Sequence, residues 1–283
     1  MVSGDVSGAS SDGATVSGQF SINHLSPPPH DEAGRGPPAV LLHAAVGDRR
    51  LWDAQMEAFT ERHRVVRCDL RGYGEAPLPA GPFSYVDDIC ALFDHCGIER
   101  AAVVGNSFGG KVALELTLRH PERVSALVLV GSALGGQEPS PDLAALGDEE
   151  DALLEAGQID EAVELNLRTW LGMVDPATRE RVGTMQRRAF ELLLEALERE
   201  PPPGPVAWLE DPPAAGRFGE VRAPTLVVVG SDDVSDMHVI SDRLAGEIPG
   251  ARKEVIGGAK HLPGVERPEE FNRLVLGFLV EYS

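Results

Sequence analysis

The chain has 283 residues and a formal charge of −20 at pH 7, long enough for one large α/β domain with an insertion. Its acidity argues against nucleic acid or an anionic membrane surface as a partner, and no run of about 18 apolar residues is present to span a bilayer. Three cysteines (Cys68, Cys90, Cys96) without a CxxC spacing, and histidines with no HxxxH or HxH pair, predict buried, reduced thiols, a cytoplasmic location and no metal or other cofactor.

The first 13 residues are small and polar without periodicity, and are expected to be disordered. They lack the charged-then-apolar layout of a signal peptide. Ala14 to Asn23 reads as an edge strand or hairpin arm, and the proline-rich stretch Ser26 to Pro38 as a loop. Ala39 to His43 is a short apolar run, a buried strand. Trp52, Met56 and Phe59 have helical spacing. Val65 to Leu70 is the next strand, leading into Asp69-Leu70-Arg71-Gly72-Tyr73-Gly74, where Asp69 and Arg71 read as a structural ion pair. Phe83 to Cys96 has helical period and stops at Gly97.

Ala101 to Val104 is an apolar strand that ends in Gly105-Asn106-Ser107-Phe108-Gly109-Gly110, with a helical stretch from Lys111 to Arg119 behind it. A serine flanked by glycines at spacing two suits a tight strand-to-helix turn, where a strained backbone lifts the hydroxyl out of the sheet. The helix amides then point at whatever is bound there. Val124 to Val130 is another strand. Continuous apolar strands separated by helices indicate a mostly parallel sheet with helices on both faces.

From Gly135 to Arg217 no strand is predicted. Helical stretches appear at Glu149–Glu155, Asp160–Leu171 and Pro176–Glu200, closed by Pro201-Pro202-Pro203-Gly204-Pro205. This reads as a helical insertion over the sheet. The βα rhythm resumes with the strand Thr225 to Val229, the turn Gly230-Ser231-Asp232-Asp233 and a helix from Asp236 to Ala245. The strand Lys253 to Ile256, the loop Gly257-Gly258-Ala259-Lys260-His261 and a last helix opened by Pro268 complete the chain.

With these motifs in place the sequence resembles the α/β-hydrolase fold family over nearly everything after residue 36. The resemblance is carried by Leu42-His43, Asp69-x-Arg71-Gly72-Tyr73-Gly74, the Ser107 elbow, Gly230-x-x-Asp233 and His261 in the last loop, in the order Ser, Asp, His. It implies a core of residues 37–135 and 218–283, a lid at 136–217 and an N-terminal tail with an edge strand or loop at 1–36. Ser107 is the expected nucleophile and His261 its general base, with a carboxylate behind the ring to hold its tautomer. Asp233 is favoured as that carboxylate over Asp232 and Asp236, since Gly131-Ser132-Ala133, where some members keep the acid, offers none.

The resemblance also implies an oxyanion hole from the backbone amides of Phe108 and Ala45, with His43 as a loop anchor. Ala44 stands where the family commonly has glycine. Trp170 and Lys260 are the candidate substrate contacts. Lys260 reads as a solvated surface lysine, with a place at the pocket mouth drawing in a carboxylate as the alternative. The leading expectation is a serine hydrolase of a small ester or lactone, acting on a small-molecule partner. A carbon–carbon bond hydrolase of ring-fission products, a cofactor-free perhydrolase and a non-catalytic binder on the same scaffold are the alternatives.

Overall fold

A computed structural model of the protein describes residues 26–199, 203–206 and 214–282. The expectations for the first 25 residues therefore lie outside the described part of the chain. In order, the elements are β1 (His30–Ala33), β2 (Pro38–Leu42), α1 (Asp53–Phe59), β3 (Arg64–Cys68), β4 (Gly81–Phe83), α2 (Tyr85–His95), β5 (Ala101–Asn106), α3 (Phe108–Arg119) and β6 (Val124–Val130). Then follow α4 (Pro141–Glu155), α5 (Ile159–Trp170), α6 (Pro176–Leu197), β7 (Pro203–Val206), β8 (Thr225–Gly230), α7 (Ser235–Glu247), β9 (Arg252–Ile256), α8 (Pro263–Glu266) and α9 (Pro268–Glu281).

Seven strands form one sheet in the order β1-β3-β2-β5-β6-β8-β9. Only β1 runs antiparallel to its neighbour. The central strands β2, β5, β6 and β8 have two buried faces, as their unbroken apolar runs require. Val40, Leu42, Val103, Leu127 and Val229 pack on one side with Ile89 of α2, Leu114 of α3 and Leu244 of α7. Their sequence neighbours Leu41, Val104, Val128 and Val228 pack on the other with Phe59 of α1 and Phe271 and Val275 of α9. Period-two side-chain alternation thus feeds both cores from the same strands, and each such aliphatic side chain contributes about 1.5–3 kcal/mol when buried.

Two expectations need correcting. The proline-rich stretch before Pro38 is not all loop: His30–Ala33 pairs with β3 from His30↔Cys68 to Ala33↔Val65. An edge strand uses only one side of its backbone, which is why flanking prolines are tolerated. The segment after the helical insertion is not strand-free either, since Pro203–Val206 pairs in parallel with Gly81–Phe83. The three thiols are free, but only Cys68 is buried; Cys90 and Cys96 are half-buried.

The helices α4, α5 and α6 lie in the chain between β6 and β8. Leu154, Val163, Leu167, Val182, Met185 and Phe190 share a third apolar cluster with Ala44, Val46, Leu51 and Leu262. The insertion therefore packs on the loops after β2 and β9. Ser140 and Asp175 start α4 and α6 by accepting from the amides of Leu143 and Thr178, each with proline in the first turn. Among the described residues no helix is long and apolar enough to cross a membrane.

Candidate active site

β5 is buried at every position and ends at Asn106. Ser107 follows with φ 53° and ψ −113°, the only non-glycine with positive φ among the described residues. Such a conformation costs on the order of 1–3 kcal/mol and persists only where its surroundings over-determine it. They do so here. The Ser107 amide donates to Val130 O at 2.8 Å, and its carbonyl accepts from Lys111 N and Ala133 N, both at 3.0 Å. The flanking glycines are required by approach rather than by φ: a Cβ at Gly105 would stand 2.3 Å from Gly109 O, and one at Gly109 2.2 Å from Leu42 O. The Gly109 amide donates to His43 O at 3.1 Å, which ties the start of α3 to the segment carrying Ala45.

Asp233 follows the end of β8. Its Oδ2 and Oδ1 lie 2.9 and 3.1 Å from His261 Nδ1, with both side chains at most 3% exposed. An ionised carboxylate only accepts, so His261 carries its proton on Nδ1 and leaves Nε2 as an acceptor. The neighbouring acids have other partners. Asp232 accepts from Ser231 Oγ, and Asp236 accepts from the amide and hydroxyl of Ser140. Gly131, at the end of β6 with φ 46°, faces the pair; a Cβ there would lie 3.1 Å from both Asp233 Oδ2 and His261 Nδ1.

The loop bearing His261 is held from several sides. Glu266 accepts from the amides of Lys260 (2.7 Å) and Leu262 (2.9 Å). Asn106 Nδ2 donates to His261 O at 3.1 Å and to Val130 O at 2.9 Å. Asn106 thus links the elbow to the histidine loop, a role that its position beside Ser107 could have signalled and the sequence reading missed. The His261 amide donates to Trp170 O at 3.3 Å, and the Trp170 ring packs on the imidazole with centroids 4.6 Å apart.

Lys260 is a half-exposed lysine with a fixed partner. Its Nζ donates to Arg168 O in the last turn of α5 at 2.8 Å, where cations complement a helix C-terminus. It clips the insertion to the histidine loop through a partly solvated contact, and Lys260 is not among the residues of the cavity wall. The Asp69–Arg71 ion pair is also corrected: Asp69 pairs with Arg49 and also accepts from the Glu75 amide. Arg71 makes a two-pronged pair with Asp88, at 2.5 and 2.8 Å. His43 is buried, accepts from the Leu70 amide on Nε2 at 2.9 Å and donates to Ala44 O from Nδ1 at 2.9 Å. Burial holds its imidazole below the ordinary histidine range, so it stays neutral as a loop anchor.

Ser107, His261, Ala45 and Trp170 share the wall of one cavity of about 500 Å³. Tyr73, Tyr85, Leu78 and Arg71 contribute from the core. Leu143, Glu150, Asn166, Gln186, Phe190 and Leu193 contribute from α4, α5 and α6. The Phe108 ring is packed against Tyr73 and Tyr85, with centroids 6.0 and 4.9 Å away. Asn166 Nδ2 donates to Glu150 and to Ala162 O, while burial raises the Glu150 carboxyl above its usual range. These lid-side polar residues carry no signal in the sequence, where they sit among ordinary helical charges. Among the described residues no cluster of His, Cys, Asp or Glu has the geometry to hold a metal ion.

The chain is similar to known proteins in sequence and in fold. A sequence model of the family described as alpha/beta hydrolase fold matches residues 37–268. The chain is 32% identical over 265 residues to a 2-hydroxy-6-oxononadienedioate/2-hydroxy-6-oxononatrienedioate hydrolase of Burkholderia vietnamiensis, covering 88% of this chain and 90% of that protein. It is also 32% identical over 261 residues to a 2-hydroxymuconate semialdehyde hydrolase of Pseudomonas putida, covering 89% and 90%. Among solved structures, an enzyme described as Est816, an N-acyl homoserine lactone degrading enzyme, superposes with a TM-score of 0.69 at 29% identity, covering 88% of this chain and 95% of that one.

Proposed function

The chain belongs to the α/β-hydrolase fold family and is a hydrolase, and on that premise we propose that it cleaves a small ester or lactone through an acyl-enzyme on Ser107. The observation that carries the reading is the buried Asp233–His261 pair and the strained Ser107, with His261 and Ser107 on the wall of one cavity. His261 Nε2 takes the proton as Ser107 Oγ attacks the carbonyl carbon, and Asp233 stabilises the imidazolium. The backbone amides of Phe108, at the N-terminus of α3, and of Ala45 take the oxyanion. On collapse, His261 gives its proton to the departing alkoxide; water activated by the same imidazole then releases the acid and frees Ser107. In a lactone the alkoxide remains tethered and the product is a hydroxy acid. The helices α4 to α6 form the lid over this site.

The two curated relatives above are named for ring-fission substrates, the first a dioate with two carboxylates. Two features of this cavity favour a neutral ester over such an anion. Arg71, the cation on the wall, already has Asp88 bound to its guanidinium, and Glu150 adds an acid to the same wall. The reading is tested with a panel of p-nitrophenyl esters, lactones and dienol-ketones. Ser107→Ala is expected to lower kcat on the best substrate by on the order of 10⁴–10⁶-fold and to abolish labelling by a fluorophosphonate. Activity of the variant within tenfold of wild type would overturn the nucleophile, and turnover of the dienol-ketones alone would overturn the substrate class.

A further inference from the structure

We propose that Trp170, supplied by the helical insertion, is a positioning residue for the base. Its side chain braces the His261 imidazole and stabilises the imidazolium that forms as Ser107 attacks. Trp170 is the last residue of α5; it is half-buried and borders the cavity together with Ser107 and His261. It meets the histidine twice. Its carbonyl accepts from the His261 amide at 3.3 Å, and its ring centroid lies 4.6 Å from that of the imidazole, with the planes tilted by 46°. Two rings do not come so near edge to edge, so they meet through a face.

The imidazole needs a second support. Asp233 bonds Nδ1 at 2.9 and 3.1 Å, which fixes one edge of the ring and leaves it free to rock about that contact. Nε2, the atom that takes the proton, lies across the ring from Nδ1 and is displaced most by such a motion. Misplacing a reacting group by about 1 Å lowers a rate by on the order of 10²-fold. Gly131, which faces the pair from the end of β6, has no side chain to brace it. Among the described residues, the side chains that bond or stack on the imidazole are Asp233 and Trp170. An aromatic brace adds electrostatics to sterics, because the π-face of an indole attracts a cation within about 6 Å of its centroid. The attraction is weak for neutral imidazole and full for imidazolium, so it acts where the base has taken the proton.

The charged groups around the ring have partners of their own. From the end of β8, Asp233 faces Nδ1. On the histidine's own loop, Lys260 sends Nζ to Arg168 O at 2.8 Å. From α8, Glu266 accepts from the amides of Lys260 and Leu262. On α5, Arg168 pairs with Glu149 of α4 at 2.9 Å, and Glu150 of α4, on the cavity wall, accepts from Asn166. All of these remain when the indole is replaced, so a difference between variants reads the indole alone. The role rests on the Ser107–His261 reading and deepens it: the insertion supports the base as well as covering the site.

The test compares Trp170→Phe, which keeps an aromatic face, with Trp170→Leu, which keeps apolar bulk; both keep the backbone carbonyl. Each is assayed for hydrolysis of p-nitrophenyl butyrate from about pH 5 to 9 and for its rate of fluorophosphonate labelling. Only competent protein is labelled, so a variant that folds in part lowers the extent of labelling and not its rate. We expect Trp170→Leu to lower kcat and the labelling rate by about ten- to thirtyfold and Trp170→Phe by about two- to fivefold, with KM within about twofold throughout. In Trp170→Leu the acid limb of kcat/KM should also move to lower pH by about 0.5–1 unit, since the protonated base has lost its π-face. A raised KM with kcat unchanged would make Trp170 a substrate contact and overturn the role. Equal losses in the two variants, or an acid limb that stays or rises, would overturn it as well, because bulk or the indole edge would then be acting. A wild type left unlabelled would remove the Ser107–His261 reading itself, whereas a labelled wild type with variants labelled as fast removes the role of Trp170 alone.

Discussion

A serine at φ 53° is a local cost that the elbow offsets by hydrogen bonds from three sides and by two glycines that let α3 approach β2 and β5. The proposed acid is chosen at the same scale. Three aspartates occur within six residues after β8, and only Asp233 reaches His261. Replacing it by asparagine places an N–H₂ where the imidazole Nδ1–H donates, which favours the other tautomer and removes the stabilisation of the imidazolium. We therefore expect Asp233→Asn to reduce kcat by roughly 10³–10⁴-fold and Asp232→Asn to change it by no more than a few-fold. The reverse order in steady-state kinetics would move the acid to Asp232, whose carboxylate accepts from Ser231 Oγ.

At the scale of elements, the histidine loop and the end of α5 form one unit. The His261 amide bonds Trp170 O and Lys260 Nζ bonds Arg168 O, so the insertion is anchored directly beside His261, the proposed base. The lysine's bond to a helix carbonyl is charge-assisted but partly solvated, so it contributes about 0.5–1 kcal/mol. Lys260→Met keeps most of the stem and removes the donor. It should speed amide hydrogen exchange over the last turn of α5 by roughly two- to fivefold, the equivalent of that energy. Fluorophosphonate labelling of Ser107 should persist in the variant. Unchanged exchange would show that the apolar cluster joining Val163 and Leu167 to Ala44 and Leu262 holds the insertion without the clip.

For the molecule as a whole, the buried neutral His43 links folding to pH. Its pKa is lowered from 6.5 by burial, so below about 6.5 the unfolded chain binds a proton that the folded chain refuses. Its contribution is fully present above that pH and is lost as pH falls, by up to about 1.4 kcal/mol per pH unit. Glu150 and Asp88, whose carboxyls burial raises, act with the opposite sign, so the comparison must be differential. Between pH 7.5 and 5.5, Tm of wild type should fall by about 2–4 °C more than that of His43→Gln, whose amide oxygen can still accept from Leu70. Parallel Tm curves for the two proteins would mean that His43 is protonated in the folded state.

What the sequence determined by itself is short-range. The core strands of the parallel sheet, the Ser107 turn and the helical insertion follow from apolar periodicity and turn chemistry spanning a few residues each, and the order Ser107, Asp233, His261 is what the family resemblance implies. Tertiary structure decided whatever depends on which distant segments become neighbours. β1 is a strand because the open edge of β3 bonds it, and β7 because β4 lies beside it. Asp69 found Arg49 and Arg71 found Asp88, although Asp69 and Arg71 share one loop. Lys260 crossed to α5, and Gln186 Oε1 was buried without a partner among the described residues. Side-chain pairing is set by distances of a few ångströms between segments tens to hundreds of residues apart. No local pattern encodes those distances until the sheet order has brought the segments together.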